Sequence, residues 1–165
     1  MPASNGSIMR KRKIHERAYP PLQCVIERRV RFEEVDALAY MWHGRYASWF
    51  EDGREAFGGY HRISYFDFYD VDVALPIKTF SVTYMAPLMY GKSYIIETSL
   101  LWNDACLIEY AYRILNDAGS VMTKAETTQL MLTRSGDILL DPPAFYKAFC
   151  EKWKNGEIEA SVDLR

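Results

Sequence analysis

Residues 30–57 contain a change of hydrophobic period that constrains the fold more than any other stretch of the chain. Their sequence is VRFEEVDALAYMWHGRYASWFEDGREAF. Val30 and Phe32 alternate with charged residues, which is typical of a half-buried strand. From Tyr46 onward the large apolar residues recur every three or four positions, which predicts an amphipathic helix. The sequence therefore predicts a strand that ends near Asp36 and a helix that begins a few residues later.

The rest of the chain shows mainly the two-residue period of strands. Gly58-Gly59 is predicted to end the helix, and the aromatic-rich residues 60–69 form either a packed flap or the wall of an acyl or aryl pocket. Alternation predicts strands at residues 22–32, 79–84, 93–102, 106–115 and 121–133. A short helix is predicted after Pro143. One strand, one long helix and four antiparallel strands indicate an α+β domain whose sheet covers a single helix.

Length and charge limit the other classes of function. The 165 residues carry 20 basic and 22 acidic side chains, and this net charge of −2 does not favour a nucleic-acid partner. No apolar run approaches the roughly 20 residues of a membrane span, and the N-terminus lacks the apolar core of a signal peptide. We therefore expect a cytoplasmic protein with no membrane partner. We predict a disordered tail at residues 1–21, one domain at residues 22–154 and a polar tail at residues 155–165.

The three cysteines of the chain are Cys24, Cys106 and Cys150. They are odd in number and far apart, which fits neither a disulfide framework nor a zinc site. We interpret them as small buried thiols. No metal and no cofactor are expected.

Asp36 and His43 are the one carboxylate–histidine pair that falls at a junction of predicted elements. A carboxylate there can act as a base or nucleophile, and a nearby histidine can orient a substrate. A plainer interpretation also fits, because aspartate is common in turns and at helix caps. The pattern by itself leaves both interpretations open.

Two segments carry a resemblance to a known family. The stretch V-R-F-E-E-V-D-A-x-x-Y-M-W-H-G-x-Y-x-x-W-F-E-D-G-R resembles the signature of hotdog-fold acyl thioesterases of the 4-hydroxybenzoyl-CoA thioesterase type. The later stretch F-S-V-T-Y-M-A-P-L-M-Y-G-K-S-Y-I-I-E-T resembles the next segment of that family, and the resemblance covers about residues 27–140. It implies a hotdog fold, in which an antiparallel five- to six-stranded sheet wraps around one long central helix, followed here by a short C-terminal helix.

The resemblance also implies a site. The aspartate after the first strand is the family's catalytic carboxylate, which is Asp36 here, and the residue at the helix start is His43. Thioester hydrolysis passes through an oxyanion, so the backbone N–H groups at this helix start are the expected oxyanion donors. Gly44 has no side chain and would let a thioester carbonyl approach the backbone. The side chains expected to contact the substrate are Tyr40, Trp42, Arg45 and Glu51, whereas Tyr46 and Trp49 are expected in the core.

The chain departs from the family pattern at two places in this loop. Many relatives carry Gly-Gly where this chain has Leu38-Ala39, which predicts a bulkier and stiffer loop and leaves the shape of the acyl pocket open. Relatives also carry an asparagine where this chain has Arg45. Arg45 could meet an anionic group of the substrate, but an ion pair with a surface acid is the favoured interpretation.

The predicted function is hydrolysis of a fatty, polyene or aryl thioester of CoA or of an acyl carrier protein. Clustered arginines, Arg29 and Arg31 among them, could attract either carrier, and we hypothesise that the thioester on the carrier protein is the better substrate. A homodimer or homotetramer is expected, because hotdog relatives place the site between subunits. The alternatives are a non-catalytic hotdog module that binds an acyl group or a partner, and a hotdog dehydratase, whose His-Phe-Pro-type loop is absent here.

Overall fold

The alternating segments form one six-stranded sheet in the computed structural model, which describes residues 17–165. Its strands are β1 (Leu22–Arg29), β3 (Ile77–Tyr84), β4 (Ser93–Leu101), β5 (Leu107–Leu115), β6 (Val121–Leu130) and β8 (Ser161–Asp163). A separate small sheet pairs β2 (Val73–Ala74) with β7 (Leu132–Thr133). The order of the large sheet is β3-β6-β5-β4-β1-β8, and every pair in it is antiparallel except β1 with β8.

One face of this sheet packs on the long helix α1 (Tyr46–His61), mainly through β1 and β4. Trp49, Phe50 and Phe57 are at most 2% exposed and face the sheet. The helix lies close to β4 because Gly53 has no side chain: a Cβ there would lie 2.2 Å from Oγ1 of Thr98. The predicted arrangement of a sheet around one central helix is therefore confirmed.

Two shorter helices complete the fold. The helix α2 (Tyr65–Tyr69) follows α1 and is capped by Ser64, whose hydroxyl accepts the N–H of Asp67. The helix α3 (Ala144–Lys154) follows Pro143 and buries Tyr146, Phe149 and Trp153 as one stripe. The predicted C-terminal helix is thus confirmed.

Several predicted boundaries are wrong. The helix α1 continues through Gly58-Gly59 to His61 and ends where Arg62 adopts a left-handed conformation, with φ of 59°. The predicted strand at residues 121–133 breaks at Met131, which is fully buried. The segment predicted as a polar tail contains β8, because Val162 buries its side chain while the backbone pairs with β1.

The predicted burial of Phe32 is also wrong. β1 ends at Arg29, and a 3₁₀ turn at Phe32–Glu34 interrupts the alternation. Phe32 is 79% exposed, whereas Glu34 is only 3% exposed. The turn exchanges the two side chains because charged and polar partners inside the fold hold the Glu34 carboxylate.

Most of the predicted N-terminal tail, residues 1–16, lies outside the described residues. The end of that segment contacts the domain. Arg17 donates to the carbonyl of Trp102 at 2.6 Å and pairs with Glu109, and the indole of Trp153 donates to the carbonyl of Pro20 at 3.0 Å. Within residues 17–165, no helix is both long and apolar enough to cross a membrane.

Candidate active site

Asp36 lies in a tight loop that joins β1 to α1. Val35 pairs with Met41 as an isolated antiparallel bridge, and the Asp36 N–H donates to the Tyr40 carbonyl at 2.9 Å. Ala39 adopts a left-handed conformation, with φ of 60°. The loop is therefore a closed turn held by its own backbone, which agrees with the prediction of a stiff loop.

The Asp36 carboxylate uses one oxygen to hold this loop. Its Oδ1 accepts the N–H of Leu38 at 2.9 Å and that of Tyr40 at 3.3 Å. Across residues 17–165 no group donates a hydrogen bond to Oδ2. Asp36 thus forms a turn, as the plainer interpretation expects, and still offers a second oxygen for chemistry.

Asp36, Trp42 and His43 share one open cavity of about 410 Å³. Its remaining walls are Met41, Tyr46, Tyr84, Met85, Ala86 and Pro87. The His43 ring lies 5.0 Å from the Trp42 ring. His43 is the first residue of a 3₁₀ turn, His43–Arg45, that leads directly into α1. The free N–H groups of this helix start therefore lie at the edge of the cavity that contains the Asp36 carboxylate.

Gly44 is covered by the indole of Trp42. A Cβ at Gly44 would lie 2.2 Å from Cζ3 and 2.4 Å from Cη2 of that indole. The missing side chain therefore gives room to the Trp42 indole, and not to a thioester carbonyl as the sequence predicts. Trp42 is 50% exposed, so its indole can be displaced towards solvent when a ligand approaches the helix start.

The other predicted contact residues do not line this cavity. The backbone of Tyr40 pairs with Met89 on the neighbouring loop. Arg45 is exposed, and no carboxylate within residues 17–165 lies at ion-pair distance from it, so the favoured surface pair is not formed. Glu51 lies farther along α1 and pairs with Arg54 at 3.2 Å.

Glu34 is a buried carboxylate that links three elements, a role that the sequence does not predict. It accepts hydrogen bonds from the Arg28 guanidinium at 2.7 Å, the Trp49 indole N–H at 3.0 Å and the Arg31 backbone N–H at 2.8 Å. The Arg28 guanidinium also lies 5.0 Å from the centre of the Trp49 ring. This set of contacts joins β1, the 3₁₀ turn and α1.

The backbone of Glu34 closes the loop that contains Asp36. Its carbonyl accepts the N–H of Trp42 at 2.8 Å. This hydrogen bond joins the two ends of the segment that contains Asp36. In the sequence, the only feature that points to this role of Glu34 is its position two residues before Asp36. The neighbouring Glu33 is exposed, and composition alone does not distinguish the two acids.

A second, more enclosed cavity of about 440 Å³ lies between α1, α2, β5 and β6. Its apolar walls are Ile63, Phe66, Leu75 and Ile108, and its polar groups include Glu51, Arg54, Tyr110 and Gln129. Tyr65 also lines this cavity, whereas Phe68 is fully buried in the core. The aromatic segment after α1 is therefore both a packed element and the wall of a pocket.

The cysteines lie away from the Asp36 cavity and are free thiols. Burial, followed by the nearby Asp163 carboxylate, raises the pKa of the Cys24 thiol to about 11. Burial likewise raises the pKa of Cys106 and of Cys150. A thiol with a raised pKa is mostly protonated near neutral pH and is a poor nucleophile.

Residues 30–149 match the family model of the thioesterase-like superfamily. The chain belongs to this superfamily. A Bacillus subtilis protein named as a candidate acyl-CoA thioesterase, YneP, is 28% identical over 120 residues, which is 73% of this chain and 85% of the relative. The predicted family of hotdog thioesterases is thus confirmed.

Solved structures of other proteins show the same fold. A DHNA-CoA thioesterase from Staphylococcus aureus superposes with a TM-score of 0.74 at 20% identity, over 86% of this chain and 99% of the other. A second S. aureus protein, solved in complex with CoA, gives a TM-score of 0.71 at 16% identity, over 84% of this chain and 88% of the other. At these identities the likeness establishes the hotdog fold, and the roles of individual residues have to be argued from the site.

Proposed function

We propose that this protein hydrolyses the thioester bond of an acyl-CoA, with Asp36 as the catalytic carboxylate. Membership of the thioesterase-like superfamily supports the reaction class. The observation that carries the proposal is the cavity shared by Asp36, His43 and the start of α1. The B. subtilis relative is named for acyl-CoA chemistry, which supports CoA as the thiol component.

The proposed roles follow from where charge develops during the reaction. Attack on a thioester carbonyl gives a tetrahedral oxyanion, which needs hydrogen-bond donors on one side and a base or nucleophile on the other. The backbone N–H groups of His43 and Gly44 are the proposed donors, aided by the positive end of the helix dipole. The His43 side chain orients the substrate, and the Trp42 indole moves aside to admit the carbonyl.

Asp36 can act by either of two routes. In one, Oδ2 takes a proton from a water molecule as that water attacks the carbonyl, and the CoA thiolate leaves. In the other, Oδ2 attacks the carbonyl and expels the thiolate, and water then hydrolyses the mixed anhydride to release the acid and restore the carboxylate. Both routes leave Oδ1 in its two hydrogen bonds, so the loop stays closed during turnover.

The enclosed cavity between α1 and α2 is the proposed place for the far end of the acyl group. His43 and Glu51 are eight residues apart, which corresponds to about 12 Å of helix. A fatty, polyene or extended aryl group of that length would reach the apolar walls of the cavity. The rings of Phe50 on α1 and Phe80 on β3 pack edge to face, 6.1 Å apart, in the apolar layer between the helix and the sheet.

Release of free thiol from a panel of acyl-CoAs, followed with a thiol dye, tests the proposal. Asp36→Asn keeps the shape of the side chain but removes its charge, so we expect turnover to fall by roughly 100-fold or more. His43→Ala should cost less, because the backbone N–H survives the substitution. Asp117→Asn, in the exposed turn between β5 and β6, is the matched control and should retain full activity.

The possible outcomes separate the mechanisms. Near wild-type turnover by Asp36→Asn would show that this carboxylate is not catalytic. Equal and complete losses in Asp36→Asn and His43→Ala would indicate His43 as the general base. Tight binding of acyl-CoA without any thiol release would favour the non-catalytic module. A thioester on an acyl carrier protein, assayed in parallel, tests the predicted preference for that carrier.

A further inference from the structure

A shallow groove of about 600 Å³ lies beside the catalytic loop, on the surface formed by the end of β1 and the loop before β4. Phe32 and Tyr90 project from it with their rings 5.9 Å apart and nearly perpendicular. They are 79% and 52% exposed. Two large rings left in solvent at one place form a platform on which a planar group can pack.

The cations around this platform lack close acidic partners. Arg29 and Lys92 have no carboxylate at ion-pair distance within residues 17–165, and Arg31 meets Glu33 only at 3.9 Å. Six other arginines pair with a carboxylate at 3.2 Å or closer, namely Arg17, Arg28, Arg54, Arg113, Arg134 and Arg165. Arg45 likewise has no close carboxylate partner within residues 17–165, but at this groove three such cations lie together, and they outnumber the one further acid of its lining, Glu27. Positive charge is therefore left here for a ligand.

The Arg29 side chain is held in position. Its Nε donates to the carbonyl of Gly91 at 2.9 Å, which orients the guanidinium and leaves its terminal nitrogens free. The edge formed by its two terminal nitrogens can bind a phosphate through two parallel hydrogen bonds. Arg29 is therefore oriented for an anionic ligand before any ligand arrives.

The groove is connected to the catalytic loop through the backbone. The Tyr90 N–H donates to the Ala39 carbonyl at 3.0 Å, and Met89 pairs with Tyr40. The groove therefore adjoins the loop that carries Asp36. A ligand with a long flexible arm can occupy the groove and place its far end in the Asp36 cavity.

We propose that this groove binds the adenosine 3′-phosphate 5′-diphosphate of CoA. This assignment rests on the proposed acyl-CoA hydrolysis. The adenine packs on Phe32 and Tyr90, while Arg29, Arg31 and Lys92 meet the phosphates. The groove favours a nucleotide over a carrier protein, because exposed rings suit a planar base and a carrier presents no base at this position.

The assignment is tested by measuring kcat and KM for one acyl group carried on CoA, on 3′-dephospho-CoA and on pantetheine. In the double variant Arg29→Gln/Arg31→Gln we expect KM for the acyl-CoA to rise about tenfold with kcat unchanged, because the charges act in binding and not in chemistry. The rise should be smaller for the 3′-dephospho-CoA ester and absent for the acyl-pantetheine. The matched control is Arg113→Gln/Arg134→Gln, which removes two arginines paired with acids elsewhere on the surface.

Binding of adenosine 3′,5′-bisphosphate by calorimetry tests the groove without any catalysis. The wild-type protein should bind it, and Phe32→Ala and the Arg29/Arg31 double variant should bind it at least several-fold more weakly. An unchanged KM for acyl-CoA, or an equal rise for acyl-pantetheine, would overturn the assignment. A rise confined to the carrier-protein thioester would assign the patch to protein docking instead. Nucleotide binding without thioester hydrolysis would contradict the proposed function while sustaining the groove.

Discussion

Ala39 is the non-glycine residue with a positive φ in the loop that contains Asp36. A left-handed conformation costs a residue with a Cβ roughly 1–2 kcal/mol, and glycine avoids this cost. The family pattern that this chain resembles has glycine at this place in many members, and a φ of 60° is a conformation that favours glycine. The chain therefore keeps a strained alanine in the loop that presents Asp36.

Replacing Ala39 with glycine should stabilise the protein. We expect Ala39→Gly to raise the free energy of unfolding by about 0.5–1 kcal/mol after the entropic cost of glycine in the unfolded chain is subtracted. Ala37→Gly is the control in the same loop, and because its φ is not positive it should destabilise. Denaturant unfolding measures both changes. Destabilisation of similar size in the two variants would show that Ala39 is not strained.

Trp49 provides a test of whether the Glu34 contacts support catalysis. Trp49→Phe removes an indole donor to Glu34, and Trp153→Phe removes an indole donor to the Pro20 carbonyl far from the site. Each should cost about 1–3 kcal/mol of stability, since each leaves a buried acceptor less well paired and a small void. Only Trp49→Phe should lower kcat several-fold at unchanged KM, because only it loosens the loop that holds Asp36.

The kcat values of the two variants are compared at one temperature, well below either melting point. A loss of kcat in Trp49→Phe alone then reflects the position of Asp36 and not the loss of stability. In the Asp36→Asn background, Trp49→Phe should cause no further loss of turnover, because the group it positions is already removed. Equal kcat values in Trp49→Phe and Trp153→Phe would show that the Glu34 contacts serve folding alone.

Phe32 and Glu34 show why the sequence could not predict this part of the structure. A two-residue period places Phe32 and Glu34 on the same side of the strand. Of the two, the apolar phenylalanine is the side chain expected to be buried. The structure reverses this because Arg28 and Trp49, from two other elements, compensate a buried carboxylate. Partners such as these, which only the tertiary fold brings close, cannot be recognised from the local sequence pattern.

At the scale of elements, strong periodicity predicted β4, β5, β6 and the start of α1 to within a few residues. The errors lie where the period is weak or short. β8 contributes one buried side chain, Val162, and α2 has only five residues, so neither produces a readable repeat. The end of α1 was misplaced because helical glycines at 58–59 looked like a stop signal.

Gly59 makes the enclosed cavity open to direct test. It lies in α1 and lines the cavity, and a Cβ at this position meets no atom within 4 Å. A Cβ at Gly59 therefore enters open space, so Gly59→Leu can extend a side chain towards the cavity and should gain up to about 1 kcal/mol of helix propensity. We expect kcat/KM for long acyl-CoAs to fall relative to short ones, because the far end of a long chain loses its space.

Gly59→Ala is the matched control for this change. It gains similar helix propensity but leaves most of the cavity empty, so its chain-length profile should match that of the wild type. A profile of Gly59→Leu that is unchanged across the same acyl-CoA series would show that the acyl group lies elsewhere.

At the scale of the whole molecule, β3 forms one edge of the large sheet, and within residues 17–165 no strand pairs with its outer side. Ile77, Phe80 and Tyr84 are 49%, 43% and 50% exposed, although β3 is eight residues long and pairs with β6 along its length. A long edge strand with exposed apolar side chains is a ready site for another strand. Outward positions farther inside the sheet carry charge instead, such as the Glu97–Arg113 pair of β4 and β5.

We therefore expect a homodimer through β3, and a homotetramer remains compatible with the same edge contact. Light scattering should give at least twice the chain mass of 19.2 kDa. Ile77→Lys/Ser81→Lys places two like charges on the edge of each copy and should shift the protein towards monomer, with loss of turnover if the site needs both copies. Ile138→Lys/Ser120→Lys makes the same change in charge on exposed residues elsewhere and should leave the assembly intact. A fully active monomer at assay concentration would contradict the predicted assembly.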